Sequence, residues 1–163
     1  MPELRSLAQP SARFAGDDGA PDPVVRSAIE RATEQAGYAR ALVALCSSRL
    51  LLPVIATGDE TDHPDPDRHA EMAAVTLSDG SGTYLIAFTG YDSLRAWNSE
   101  ARPVPCLLDE LAATVIPAGA TRLLLDAAGP VPFVIEGDTL ASLADGNALV
   151  ELDNGDFAWA RTA

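Results

Sequence analysis

Two apolar segments, MAAVTLS and TYLIAFT, flank the tetrapeptide DGSG at residues 79–82. Glycine adopts the positive φ angles that tight turns need, so this arrangement predicts a β-hairpin. The second segment is apolar on both faces, which is typical of a strand near the middle of a sheet. Near the C-terminus, ALVEL and FAWA flank DNGD and predict another hairpin. Antiparallel pairing is therefore expected to dominate.

Helical patterns interrupt these strands at irregular intervals. Asp22 and Pro23 form an N-cap followed by proline at the first helical position, and a helix is predicted from there to a cap at Gly37. Pro53 favours an edge or a bulge for the strand in which it lies. Further helices are predicted over residues 39–47, 92–97 and 105–116, and further strands over 49–56, 122–126 and 131–136. This order predicts an α+β fold: a single domain with a mixed, largely antiparallel sheet and helices mainly on one face.

Composition separates a short N-terminal segment from the rest of the chain. Residues 1–21 are rich in Ala, Ser, Pro, Gly and Asp, which is typical of a flexible arm. Residues 22–163, including the C-terminal hairpin, are expected to form the domain. The N-terminus has no apolar run that would serve as a signal peptide, so a cytoplasmic location is predicted.

The charge of the chain excludes several classes of partner. Acidic residues number 24 and basic residues 11, which gives a formal net charge of −13. An acidic surface repels phosphate backbones and anionic lipid, so neither nucleic acid nor a membrane is an expected partner. The identity of a protein partner and the oligomeric state are not predicted.

The residue types that are missing exclude several kinds of catalysis. All 11 basic residues are arginine. Without lysine there is no Schiff base and no phosphate-binding P-loop lysine. The sequence also lacks G-x-S-x-G, C-x-x-C, H-E-x-x-H and G-x-G-x-x-G. No catalytic residue and no cofactor are therefore expected.

An acidic loop over residues 57–71 contains both histidines of the chain, His63 and His69. Two imidazoles among several carboxylates are ligands that zinc or manganese accepts. The loop has two prolines and no periodic scaffold that would fix ligand geometry, and a solvated charged loop explains the same residues. His63 and His69 are therefore weak candidates for a metal site, and no metal site is predicted.

Asp126 follows an apolar strand and precedes the turn AAGP. A carboxylate in that position can accept hydrogen bonds from turn amides two residues further on. The expected role of Asp126 is therefore that of a turn-stabilising residue.

The segment FTGYDSLRAW, residues 88–97, connects a strand to a short helix. Asp92 is expected to cap the helix, and the three-residue spacing of Leu94 and Trp97 places both on its inner face. Tyr91 lies in the turn, and Arg95 is four residues further on, so its guanidinium can lie beside the ring. Tyr91 and Arg95 are candidates for a contact with another protein; the alternative is an ordinary stacked surface pair that fixes the start of the helix.

The order of three segments resembles one known family. RLLLPVI is followed by AVTLSDGSGTYLIAFTGYDSLRAW and then by LLLDAAGPVPFVIEGDTL. This order is similar to the SseB family N-terminal domain, in the single-domain form of high-GC bacteria, and covers roughly residues 14–146. The resemblance implies the fold and a link to enhanced serine sensitivity, but no biochemical activity. The combined interpretation is a non-enzymatic protein–protein interaction module, and the alternative is a metal-assisted enzyme or metal-binding protein that uses His63 and His69.

Overall fold

The structure, a computed structural model, describes residues 14–57 and 71–161. Its helices are α1 (Pro23–Glu30), α2 (Gln35–Cys46), α3 (Tyr91–Trp97), α4 (Leu108–Val115) and α5 (Gly137–Ala144). Its strands are β1 (Leu50–Thr57), β2 (Glu71–Ala74), β3 (Thr76–Asp79), β4 (Gly82–Ala87), β5 (Arg102–Cys106), β6 (Arg122–Leu125), β7 (Phe133–Ile135), β8 (Asn147–Glu151) and β9 (Phe157–Arg161).

The described strands form three hydrogen-bonded sets, in the orders β2-β1-β5, β3-β4-β6-β7 and β8-β9. Neighbouring strands are antiparallel except β4 and β6, which run parallel. An antiparallel bridge between Leu51 and Phe88 joins the first set to the second. The predicted α+β fold with largely antiparallel pairing is confirmed.

Both predicted hairpins are present. β3 and β4 are joined by a turn in which the Asp79 carboxylate accepts from the amides of Ser81 at 2.7 Å and Gly82 at 3.1 Å. β4 lies between β3 and β6, as its apolar faces predict. β8 and β9 form the C-terminal hairpin, whose loop is closed by a hydrogen bond from the amide of Leu152 to the carbonyl of Asp156.

The first helix ends earlier than predicted. The Asp22 side chain accepts from the amide of Val24 at 2.9 Å, so the predicted N-cap is confirmed. The predicted end at Gly37 is wrong, because Gly37 lies inside α2. A Cβ atom on Gly37 would lie only 2.4 Å from the carbonyl oxygen of Arg31. This glycine therefore permits the close approach of α2 to the end of α1.

β5 was not predicted, because two of its five residues are proline. Pro105 lies opposite Leu51 and Pro103 lies opposite Pro53. Leu51 exchanges its main-chain hydrogen bonds with Phe88 on its other side. Leu51 therefore forms a non-hydrogen-bonded pair with Pro105, and Pro53 forms one with Pro103. In a pair of this kind the main-chain nitrogens point away from the opposite strand, so those of Pro103 and Pro105 point to the outer edge of β5. Both prolines thus join the strand without the loss of a hydrogen bond to β1.

The prediction of an edge or bulge at Pro53 is wrong, because β1 is the central strand of its set. The nitrogen of Pro53 faces the same side of the strand as that of Leu51. It lies between the bridge to Phe88 and the point where Val54 begins to pair with β2. The missing N–H group of Pro53 therefore removes no hydrogen bond between β1 and Phe88 or between β1 and β2.

The core lies on the two faces of β4. The larger cluster contains Leu85, Ala87 and the buried sides of α1, α2, α4 and α5. The smaller cluster contains Ile86 and Phe88 and lies beneath α3. Helices therefore cover mainly one face, as predicted, and α3 covers the other. Within residues 14–57 and 71–161, no helix has both the length and the apolar character that crossing a bilayer requires.

Part of the predicted N-terminal arm contacts the domain. Arg49 forms an ion pair with Asp17 at 2.6 Å and donates to the carbonyl of Ala20 at 2.7 Å. The carbonyl of Gly19 accepts from the amide of Tyr91 at 2.7 Å. The flexibility of the arm stays a prediction. Residues 17–20 of the arm contact Arg49 and the first residue of α3.

Candidate functional site

The segment FTGYDSLRAW forms a corner of the domain at which β4 passes into α3. Phe88 is fully buried and bonds to Leu51, and Gly90 is the N-cap residue of α3. A Cβ atom on Gly90 would lie 2.7 Å from both the Asp92 carboxylate and the Pro21 side chain. Glycine is therefore needed where the corner approaches the segment that precedes α1.

Asp92 does not cap α3, so that prediction is wrong. It lies in the first turn of the helix, and its carboxylate forms a two-pronged ion pair with the guanidinium of Arg26 on α1. The pair links two helices that are far apart in sequence. The hydrogen bond from Arg26 is the main reason that the pKa of Asp92 lies below its ordinary value, and the same bond raises the pKa of Arg26.

A buried carboxylate holds the corner from beneath. Asp126 is 1 % exposed and accepts from the amide of Thr89 at 2.9 Å, the hydroxyl of Thr89 at 2.6 Å and the hydroxyl of Ser93 at 2.9 Å. The predicted role as an acceptor for turn amides is wrong; it is the carbonyl of Asp126, and not the carboxylate, that accepts from Gly129 in the turn. The backbone of Asp126 has a φ of 54°, in the left-handed region that aspartate tolerates better than most other non-glycine residues.

The network arises from the one parallel pair among the described strands. Thr89 follows β4 and Asp126 follows β6, and the carboxyl ends of parallel strands meet at one edge of a sheet. Thr89 and Ser93 were not singled out in the sequence, because the predicted mixed sheet did not specify which strands would pair in parallel. An Asp and a Thr that each directly follow an apolar strand were the signal that could have revealed the pair.

In this network the Asp126 carboxylate is the acceptor, and the groups around it donate hydrogen bonds. The hydroxyl of Ser93 is also within 2.9 Å of the carbonyl of Gly90. The only histidines of the chain are His63 and His69, so no imidazole is present in the described part to activate a hydroxyl. Arg26 completes the network by donating from Nε to the hydroxyl of Thr89 at 3.1 Å. The arrangement fixes α3 to α1 and to the sheet.

Arg95 lies on the outer side of this fixed helix, and Tyr91 beside it packs partly against the smaller core cluster. The Arg95 guanidinium carbon is 5.4 Å from the centre of the Tyr91 ring, which is the proximity that their spacing predicts. Arg95 is exposed and Tyr91 is half-buried. Trp97 is on the inner side, as predicted, but only half-buried, with its ring 5.7 Å from that of Phe88.

A cleft of about 270 Å³ adjoins Tyr91. It is lined by the aromatic rings of Phe14 and Tyr91, by Pro103 and Pro105 of β5, and by two acids of the N-terminal segment, Asp17 and Asp18. The corner therefore presents an aromatic and proline-lined surface beside an exposed guanidinium.

The family assignment rests on most of the chain. The family model for the SseB protein N-terminal domain matches residues 25–142, and this range contains the whole Asp126 network as well as Tyr91 and Arg95. The chain belongs to the SseB N-terminal domain family. No curated protein and no solved structure matches this SseB domain. The predicted resemblance is thus confirmed, over a somewhat shorter range than residues 14–146.

The candidate metal ligands His63 and His69 lie outside the described residues, so the prediction that they hold no metal stays a prediction. Within residues 14–57 and 71–161, no group of three or more His, Cys, Asp or Glu side chains is arranged to hold a metal ion.

Proposed function

We propose that this SseB domain is a non-enzymatic, cytoplasmic protein–protein interaction module that binds its partner at the Tyr91–Arg95 corner. The proposal is carried by one observation: an exposed guanidinium stacked on a tyrosine ring, on a helix whose position is fixed. Tyrosine and arginine are enriched among the residues that contribute most to binding, since each combines a large contact area with polar atoms.

The network beneath the corner supports a binding role. α3 is held by Asp92 to Arg26, by Ser93 to Asp126 and by the amide of Tyr91 to Gly19. A surface that is already ordered loses little conformational freedom when a partner binds, so more of the contact energy appears as affinity. The alternative is metal-assisted chemistry at His63 and His69, which lie outside the described residues.

The experiment is capture of the native partner with a paired set of variants. We expect the variant with Tyr91→Ala and Arg95→Ala to remain folded, at a somewhat lower melting temperature because Tyr91 is half-buried, and to lose the partner that the native protein retains and that mass spectrometry identifies. Tyr84 and Arg122 are the matched control, because the Arg122 guanidinium lies 5.5 Å from the Tyr84 ring on another part of the surface.

The control variant, Tyr84→Ala with Arg122→Ala, is expected to retain the partner. If the corner variant is folded and captures the same partner at the native yield, the Tyr91–Arg95 corner is not the binding surface.

A further inference from the structure

A groove lies between α2 and the C-terminal hairpin, apart from the corner. Its volume is about 670 Å³. Its larger apolar residues are Tyr38 and Leu42 on α2, and Leu149, Phe157 and Trp159 on the hairpin. We propose that this groove binds a peptide segment of a partner protein in which apolar side chains are flanked by Lys or Arg.

Trp159 provides the anchor for such a segment. It is 41 % exposed, although it pairs across the hairpin with Leu149, which is buried. Tryptophan is the residue type most enriched at binding hot spots, and an exposed one beside an apolar groove is a typical contact for an inserted side chain. The floor on α2 is ordered, because the hydroxyl of Tyr38 donates to the carbonyl of Val134 at 2.6 Å and its ring stacks on Phe133.

The charge of the groove selects the chemistry of the occupant. Glu34 and Asp156 line it, and none of the described residues that line it is basic. Both carboxylates are on exposed residues, and Glu34 makes no capping hydrogen bond although it precedes α2. In a chain with a net charge of −13, these acids favour a cationic segment, and they disfavour an acidic one by like-charge repulsion.

The groove is independent of the corner proposed above. The residues that line it include neither Tyr91 nor Arg95. Its hairpin side, residues 147–161, lies beyond the range that the family model matches.

In the test, a library of displayed peptides is selected for binding to the full-length protein, and fluorescence anisotropy then measures the affinity of the selected peptides. We expect enrichment of sequences with an aromatic or aliphatic core and basic flanks. Trp159→Ala should weaken binding of these peptides about 30-fold or more, the loss that defines a hot spot. Glu34→Gln with Asp156→Asn should weaken it about fivefold, as two exposed ion pairs do, and should reduce its salt dependence.

Two control variants separate specific binding from general stickiness. Ile116→Ala removes a side chain that is 79 % exposed and does not line the groove, and Glu30→Gln removes an exposed acid at the end of α1. Both are expected to bind the peptides within twofold of the native protein. Thermal unfolding of each variant checks that the hairpin is folded, and the Glu34 and Asp156 changes retain the groove even if Trp159→Ala does not.

Several outcomes would overturn the inference. Enrichment of acidic or uncharged peptides would do so, as would a folded Trp159→Ala variant with unchanged affinity. A concentration-dependent dimer in sedimentation that Trp159→Ala abolishes would assign the groove to a second copy of the chain. If Tyr91→Ala with Arg95→Ala removes peptide binding, the groove proposal fails while the corner proposal stands.

Discussion

Replacement of Asp126 by alanine is the most direct test of the buried network. The carboxylate accepts three hydrogen bonds at 1 % exposure. The hydroxyl of Ser93 keeps the carbonyl of Gly90 as an acceptor in the variant. The amide and the hydroxyl of Thr89 have no second acceptor among the described contacts.

The expected loss follows from these two donors. A buried donor left without an acceptor costs about 1–3 kcal/mol, so two give about 2–6 kcal/mol. The φ of 54° adds about 1 kcal/mol, because alanine tolerates the left-handed region less well than aspartate. We therefore expect Asp126→Ala to lower the free energy of unfolding in urea by several kcal/mol.

Two further variants separate the carboxylate from the backbone. Asp126→Gly relieves the φ strain but removes the acceptor, so it should be nearly as destabilised as Asp126→Ala. Asp126→Asn keeps one acceptor oxygen and tolerates the same φ, so its loss should be less than half that of Asp126→Ala. A loss below about 1 kcal/mol in Asp126→Ala, the scale of ordinary surface changes, would refute the reasoning.

Three other measurements probe single contacts. Trp97→Ala should cost about 2 kcal/mol in urea unfolding, less than the ~3–5 kcal/mol of a fully buried aromatic, because Trp97 is half-buried; a change within about 0.5 kcal/mol would contradict its contact with Phe88. The pKa of Asp92 is lowered in the folded state, mainly by the hydrogen bond from Arg26. The contribution of ionised Asp92 to folding stability is therefore present above about pH 4 and is lost as the pH falls through the lowered pKa. In an acid titration, Asp92→Asn should lose less stability over this range than the native protein. Burial, followed by the charge of Glu136, raises the pKa of Tyr38 to about 12. The contribution of neutral Tyr38 to stability is therefore complete below about pH 10 and is lost as the pH rises through about 12; ultraviolet difference spectra should show a late phenolate that Tyr38→Phe removes.

The elements that were predicted correctly are those determined by residues close together in the sequence. The turn residues of DGSG and the apolar faces of TYLIAFT located β3 and β4, and Asp22 located the start of α1. What failed depended on contacts that are distant in sequence. Gly37 is explained only by the approach of Arg31, and β5 only by its partner β1.

In the candidate site, too, contacts between residues close in sequence were predicted and those between distant residues were not. The spacing of Tyr91 and Arg95 predicted their proximity, because four residues make about one helical turn. The role of Asp126 could not be predicted from its neighbours in sequence alone, since its donors on Thr89 and Ser93 are 37 and 33 residues away and the strand pairing that joins them was not known. A carboxylate at a strand end has the same local sequence whether it faces its own turn or a neighbouring strand.

The two prolines of β5 also limit the hydrogen bonds that the outer edge of this strand can offer to another strand. Because Pro103 and Pro105 direct their nitrogens outward, that edge offers no N–H group at two successive outward positions. A strand from another molecule that approached this edge would leave its facing carbonyl groups without donors. Pairing of β5 with a strand of another molecule is therefore disfavoured at these two positions of the backbone. Replacement of both prolines by threonine would leave the hydrogen bonds to β1 intact and would open this edge to amyloid-like growth.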